Sequence, residues 1–302
     1  MNEQERKDWL ERRKNGIGAS DSPQILGLSL WGSAISVYND KLSLSEEFEM
    51  SERMEIGLLI EDFIAKLFCK KTGKKVRNIK DEVYSKDIPY IYASLDRDIV
   101  GEKSVLECKN VQIFHGDKWD GTIPDMYNIQ CHHQMYATGS EKAYLAALFS
   151  GCRFEIYEIN RDQDVIDFMI PKLVSFWEDN VKKQILPIAN HLDSQYLTES
   201  FFDHDEEFRT NHDISCELID EYKNLSKIID ESKKRKEVIT NQLKQQIGDS
   251  NGLVTERYQV SWSRWESERF DTKSFQQEHP KLFDKYKKSS KMGRISIKGE
   301  LR

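Results

Sequence analysis

The segment Ser104-Val105-Leu106-Glu107-Cys108-Lys109 carries an acid and an amine two residues apart in a run that reads as a strand. Side chains two apart in a strand share a face, so Glu107 and Lys109 project together while Leu106 and Cys108 pack into the other face. Asp96 closes the preceding strand-like run Tyr92-Ala93-Ser94-Leu95. An acid at a strand end, a short hairpin and then acid-x-Lys place two carboxylates and an ammonium close together. Phosphodiester hydrolysis uses such a grouping. Two carboxylates hold a hard divalent cation, which polarises a phosphoryl oxygen and lowers the pKa of a bound water. The lysine orients that water, helps to deprotonate it or stabilises developing charge. A surface hairpin with an ordinary salt bridge has the same spacing, so the trio needs support from elsewhere in the chain.

Glu61 adds some. It sits in an otherwise apolar run, with Gly57-Leu58-Leu59-Ile60 before it and Phe63-Ile64 after it. A carboxylate there is costly if buried unpaired, so it must face solvent, a basic partner or a metal. Gly57, one helical turn earlier, clears space beside it. Gln130 and Gln134 are also one turn apart and point the same way. Gln130 could support a metal-bound water or a phosphate. His132 and His133 diverge by roughly 100° on a helix and are read as packing or DNA-edge residues. Near the N-terminus, Arg13 and a capping Ser20 before a helix start would form a phosphate cradle.

These residues need elements to hold them. Short helices are expected over 4–13 and from Ser20-Asp21-Ser22-Pro23 to Gly27. Glu52 to Lys71 has Ile56, Leu59, Ile60, Phe63, Ile64, Leu67 and Phe68 at helical spacing and stops at Thr72-Gly73. Strands follow at 83–84, 90–95 and 104–109, then a helix over Asp125–Thr138 ending at Gly139. Strands over 143–149 and 153–159 turn at Ser150-Gly151. A helix over 162–184 closes the unit, with Pro171 predicting a kink or a break. Beyond the acidic connector 201–212, Ile214, Leu218, Tyr222, Leu225 and Ile229 make a helical stripe that continues to Gly248. A strand is expected at 258–262, then a basic tail. The aromatic and basic residues of this module could engage DNA or a protein, or form a helical cap.

The bulk numbers fit a globular chain of 302 residues, 32% charged, with a net charge of −7. The basic residues cluster, in Lys66–Lys80 and Lys281–Arg302, which permits a local phosphate-binding face. No apolar run approaches the ~20 residues that span a bilayer. The first ten residues carry no signal-peptide core, so a cytoplasmic protein is expected. Five scattered cysteines in no C-x-x-C arrangement argue against a disulfide framework, a zinc ribbon or an iron–sulfur cluster, and read as small buried thiols.

In chain order, five motifs resemble the lambda-exonuclease/YqaJ family of viral recombination nucleases, within the PD-(D/E)XK superfamily. They are W-x-x-x-R-x-x-G-I-x-A-S at Trp9–Ser20, G-x-x-x-E at Gly57–Glu61 and A-S-x-D at Ala93–Asp96. L-E-x-K at Leu106–Lys109 and Q-x-x-x-Q-M-x-x-T-G at Gln130–Gly139 complete the set. The resemblance implies an α/β fold, a PD-(D/E)XK nuclease core over 1–200 with a mixed central sheet flanked by helices. A mainly helical module over 201–302 is appended to it. By position, Asp96, Glu107 and the Cys108 backbone carbonyl would hold catalytic Mg2+, with Mn2+ able to substitute. Glu61 would serve a second metal or its water, Lys109 would act on the nucleophilic water, and Gln130 would support the site. Arg13 and Ser20 would contact the phosphate at a DNA 5′ end. The resemblance also implies 5′-to-3′ digestion of double-stranded DNA ends to 5′-phosphomononucleotides, for phage-type recombination in a host-cell cytoplasm. A single-strand annealing protein as partner and a trimer, as in some relatives, go with it.

The chain departs from the pattern at His132, where a second glutamine of Q-x-Q is common, and at Leu95, where proline is frequent. Neither removes a metal ligand. The tail beyond 200 has no counterpart in shorter relatives, though Arg269-Phe270-Asp271 and Arg294 to Lys298 resemble tails of phage members. Two other readings stay open: an endonuclease on the same fold, and a non-catalytic DNA-binding protein.

Overall fold

The computed structural model describes residues 11–44, 52–112, 119, 121–203 and 216–297, except the side chains of residues 53 and 54. The chain forms two compact units, Met1–Tyr196 and Leu197–Arg302. The helix expected over 4–13 lies mostly outside the described residues, of which 11–14 are helical.

In the first unit, α1 (Ser22–Ile25) and α2 (Ala34–Lys41) precede the long α3 (Glu52–Thr72). Then come β1 (Val76–Arg77), β2 (Val83–Tyr84), β3 (Tyr92–Ala93), β4 (Arg97–Ile99) and β5 (Ser104–Val111). After α4 (Asp125–Thr138) follow β6 (Lys142–Phe149), β7 (Arg153–Asn160) and α5 (Gln163–Ser175). A π-helical segment, Phe176–Val181, continues α5, and α6 (Ser194–Ser200) begins in this unit and ends in the second. The main sheet has the order β1-β4-β5-β6-β7; β5 and β6 run parallel and the other pairs antiparallel.

This is a mixed sheet with helices on both faces, as the sequence implied. The Lys-Ala-Tyr-Leu-Ala-Ala-Leu-Phe sequence of β6 is buried from Ala143 to Phe149, which suits a strand covered on both sides. On one face Cys131 and Met135 of α4 pack with Val105, Leu145, Ala147 and Phe149. On the other, Ile64, Ala65 and Phe68 of α3 pack with Leu106, Tyr144, Ala146 and Leu148. Each large apolar side chain so buried contributes about 1.5–3 kcal/mol. α4 stops where Gly139 takes a left-handed φ of 70°, a conformation that costs glycine little.

Several expectations shift. The strand expected over 90–95 is only Tyr92–Ala93, and it pairs with β2 outside the main sheet. The apolar stripe of α3 is buried at Ile64 and Phe68, but Leu59 is 73% exposed and Phe63 52%, because the first half of that helix has no neighbour among the described residues that covers it. Pro171 neither breaks nor ends α5, which runs to Ser175 before its hydrogen bonding widens to π. Of the cysteines only Cys131 is buried; Cys152 and Cys216 are exposed, and none is in a disulfide. The basic run near residue 75 is partly paired, Arg77 with Asp98 at 2.7 Å and Lys74 with Glu102.

The second unit contains α7 (Cys216–Ile247), an antiparallel hairpin of β8 (Gly252–Val254) and β9 (Gln259–Ser261), and the short helices α8 (Thr272–Glu278) and α9 (Pro280–Tyr286). The stripe Leu218, Tyr222, Leu225 and Ile229 is exposed rather than core. Among the described residues no helix is long and apolar enough to cross a membrane.

Candidate active site

β5 positions the acid and the amine as its period dictates. Glu107 and Lys109 leave one face, and Lys109 Nζ lies 2.6 Å from Glu107 Oε1. Leu106 is fully buried on the other face. Asp96 does not end a strand. It directly precedes β4, and the hairpin is β4–β5, with Arg97 opposite Leu106 and Asp98 opposite Val105. One more step of that register sets Asp96 against Glu107. Its Oδ2 accepts the Cys108 N–H at 2.7 Å.

α4 supplies the clamp on Glu107. Gln130 Nε2 donates to Oε1 at 2.7 Å and Gln134 Nε2 donates to Oε2 at 2.5 Å. Both carboxylate oxygens are thus held by amides one helical turn apart. Gln134 is fully buried, and its Oε1 has no hydrogen-bond partner among the described residues. Lys109 also lies over the Tyr127 ring, 5.3 Å from its centroid.

The electrostatics are those of acids crowded together. Burial, then the charges of Glu107 and Glu61, hold the Asp96 carboxyl well above the usual carboxylate range, against Lys109 and the Cys108 N–H. Burial works to lower the Lys109 pKa, but Glu107 and Asp96 outweigh it and push it up. Beside these carboxylates Lys109 is held as an ammonium. Burial raises the Glu61 carboxyl, with Arg97 opposing and Glu107 and Asp62 adding to the rise.

Glu61 has found a basic partner. Arg97 Nη1 donates to Glu61 Oε1 at 2.5 Å and to the Asp96 carbonyl, and Nη2 pairs with Asp62. Arg97 was missed in the sequence, where adjacent acids on an apolar helix called for a nearby base. Gly57 was expected to clear space for Glu61. A Cβ there would meet nothing within 4 Å among the described residues, so the structure gives it no such role.

Ser20 and Arg13 are placed differently from one another. Ser20 is exposed and lines a cleft of about 420 Å³ together with Trp31, Lys109, Met126, Tyr127 and Gln130. It does not cap α1, whose N-cap is Asp21. Arg13 is not in the cleft lining. Its Nη2 is 3.4 Å from Asp21 Oδ1, next to Ser20. Lys41, wholly buried, donates to Asp21 Oδ2 at 2.7 Å and to the Arg13 carbonyl at 2.8 Å. Burial would raise the Asp21 carboxyl, yet Lys41, Arg13 and the Gly18 N–H hold it below the usual range. Trp9 lies outside the described residues. A larger cleft, about 840 Å³, opens near the start of β5 and holds none of the candidate residues.

Both histidines are packing residues. His133 Nε2 lies 2.9 Å from the Tyr92 carbonyl, which only accepts, so that nitrogen carries the proton and Nδ1 accepts from Ser22 Oγ at 2.6 Å. Burial pushes its pKa down to about 4. His132 Nδ1 donates to the Asn128 carbonyl at 2.9 Å. Among the described residues no three His, Cys, Asp or Glu side chains converge as a metal cluster. What the site offers is two neighbouring carboxylates, Asp96 and Glu107, with only oxygen donors between them.

The family profile described as the YqaJ-like viral recombinase domain matches residues 8–141. A protein of Bacillus subtilis (strain 168), described as uncharacterized protein YqaJ, is 33% identical over 309 residues. The match covers 98% of this chain and 95% of that protein. This chain belongs to the YqaJ family. Among solved structures, the alkaline exonuclease LHK-Exo of Laribacter hongkongensis superposes with a TM-score of 0.51 at 17% identity. The match covers 64% of this chain and 97% of that one, and the same protein in complex with dAMP gives the same values. The YqaJ-family chain therefore shares the fold of that alkaline exonuclease, and the matched profile spans every candidate site residue from Arg13 to Gln134.

Proposed function

We propose that this YqaJ-family chain is a magnesium-dependent exonuclease that digests double-stranded DNA from its ends, 5′ to 3′, in phage-type homologous recombination. The observation that carries the reading is the neighbouring pair Asp96 and Glu107, with Lys109 bonded to Glu107 and lining a cleft together with Ser20. A buried acid whose proton affinity is raised by burial and by neighbouring carboxylates, as Asp96 is, is stabilised as a carboxylate by a cation beside it. An all-oxygen donor set suits a hard ion, and Mg2+ typically takes one or two carboxylates. Asp96, Glu107 and the Cys108 carbonyl would hold it, with Mn2+ substituting, and Glu61 would join only on leaving Arg97. When bound, the ion supplies Lewis acidity to the scissile phosphoryl oxygen and acidity to a ligated water.

The chain's own groups do the rest. Gln130 and Gln134 fix the Glu107 carboxylate in one orientation, so no reorganisation is needed during reaction. Lys109 donates to the oxygen on which negative charge develops. The Ser20 hydroxyl, with Arg13 behind it, contacts the terminal 5′-phosphate, and the products are 5′-phosphomononucleotides. An annealing protein would take the single strand left behind, in a host-cell cytoplasm.

The test is digestion of linear duplex with and without a 5′-phosphate, beside a closed circle, in magnesium and in chelator. Only the linear substrates should be degraded, faster with the phosphate, and only with metal. Rapid cutting of the circle would replace this reading with an endonuclease, and no cutting of any substrate with a non-catalytic DNA-binding protein.

A further inference from the structure

The cleft beside Lys109 has an aromatic wall that the steps above leave unused. Trp31 lines it while remaining 57% exposed. The loop that carries this indole is tied down on both sides. Ser29 Oγ accepts the N–H groups of Trp31 at 3.2 Å and Gly32 at 3.3 Å. Ser33 Oγ accepts the Ser36 N–H at 3.1 Å, capping α2, and donates to Asp193 Oδ1 at 2.5 Å. Ser29 and Ser33 are themselves buried, so the loop is anchored while its crest faces solvent. The lining also includes polar Ser20, Lys109 and Gln130 and apolar Met126 and Tyr127. A volume of about 420 Å³ is within the range of small-molecule sites, roughly 300–1,000 Å³.

We infer that Trp31 is a stacking platform for the nucleobase of the nucleotide whose phosphodiester lies at Lys109. The inference rests on the nuclease reading and names a substrate subsite for it. A flat indole face accepts any base, because every base presents a π-face and stacking reads no hydrogen-bond pattern. An enzyme that removes successive nucleotides needs such indifference. Lys109 and Ser20 take the phosphates and the Trp31 indole takes the base.

The experiment uses the full chain in chelator, so that nothing is cut, and a short 5′-phosphorylated duplex with 2-aminopurine at the terminal nucleotide. Binding quenches the probe in the wild type. Trp31→Ala binds roughly tenfold more weakly and loses the quench, and Trp31→Phe restores most of both. On a duplex with an abasic terminal nucleotide, wild type and Trp31→Ala bind alike. Equal quenching by wild type and Trp31→Ala overturns the inference, as does a binding defect that persists undiminished on the abasic probe. Quenching through Trp31 in a chain that cuts no DNA once magnesium is added would uphold the subsite and sink the nuclease reading instead. Cutting without any effect of Trp31 on the probe would do the reverse.

Discussion

Lys41→Met tests whether a buried ion pair builds the floor beneath Ser20. The Lys41 side chain has no exposed surface, and its ammonium bonds both Asp21 and the Arg13 carbonyl. Removing it leaves a buried carboxylate with Arg13 at 3.4 Å and the Gly18 N–H at 2.9 Å. Breaking such a pair from one side costs about 3–5 kcal/mol. Arg13 persists as a second cation, so the lower end, about 3 kcal/mol, is expected. For a unit of this size that is roughly 6–12 °C in Tm. Asp21→Asn combined with Lys41→Met removes both charges, and a double-mutant cycle should return a coupling of about 2 kcal/mol.

The acid limb supplies a further check. The folded Asp21 carboxyl lies below its unfolded value, so the pair stabilises above about pH 4 and that contribution is lost as pH falls through the folded pKa. Without Lys41, burial dominates, the carboxyl rises, and acid unfolding moves to higher pH. Urea and thermal unfolding followed by tryptophan fluorescence, read against pH, measure all of this. A Lys41→Met protein within about 1 kcal/mol of wild type, or a double variant no better than the single, would refute the reasoning.

Three further outcomes are expected. Glu107→Gln and Lys109→Ala should each reduce magnesium-dependent cleavage by at least about a hundredfold while leaving the circular dichroism melt near that of wild type; retained activity in both variants would mean the site lies elsewhere. Gln134→Leu removes one of the two amides on Glu107, and metal titration should show a loss of roughly 10–100-fold in apparent metal affinity. His133 is neutral when buried, with its pKa down at about 4 from 6.5, so its contribution is complete above pH 6.5 and is lost as pH falls towards 4. The loss is about 3 kcal/mol at most, and a stability–pH profile that stays flat over that window would contradict it.

Local periodicity was enough to read the face shared by Glu107 and Lys109, because alternation along a strand needs no partner. The joint reach of Gln130 and Gln134 was legible for the same reason, one turn of helix separating them. The stops at Gly73 and Gly139 follow from backbone freedom at single residues. Asp96 was expected at the end of a strand, and the structure puts it just before β4. Whether it ends one strand or precedes the next depends on pairing with β5, which residues 92–96 do not encode alone. The stripe on α3 was legible as a helix but not as core, since burial at Ile64 and exposure at Leu59 reflect what packs alongside. Arg97 as the partner of Glu61, Lys41 as the partner of Asp21, and Trp31 in one cleft with Lys109 bring together residues 36, 20 and 78 positions apart. Contacts at such separation depend on how the whole chain closes, through packing of α1, α2 and α4 about one sheet, and no local pattern specifies them.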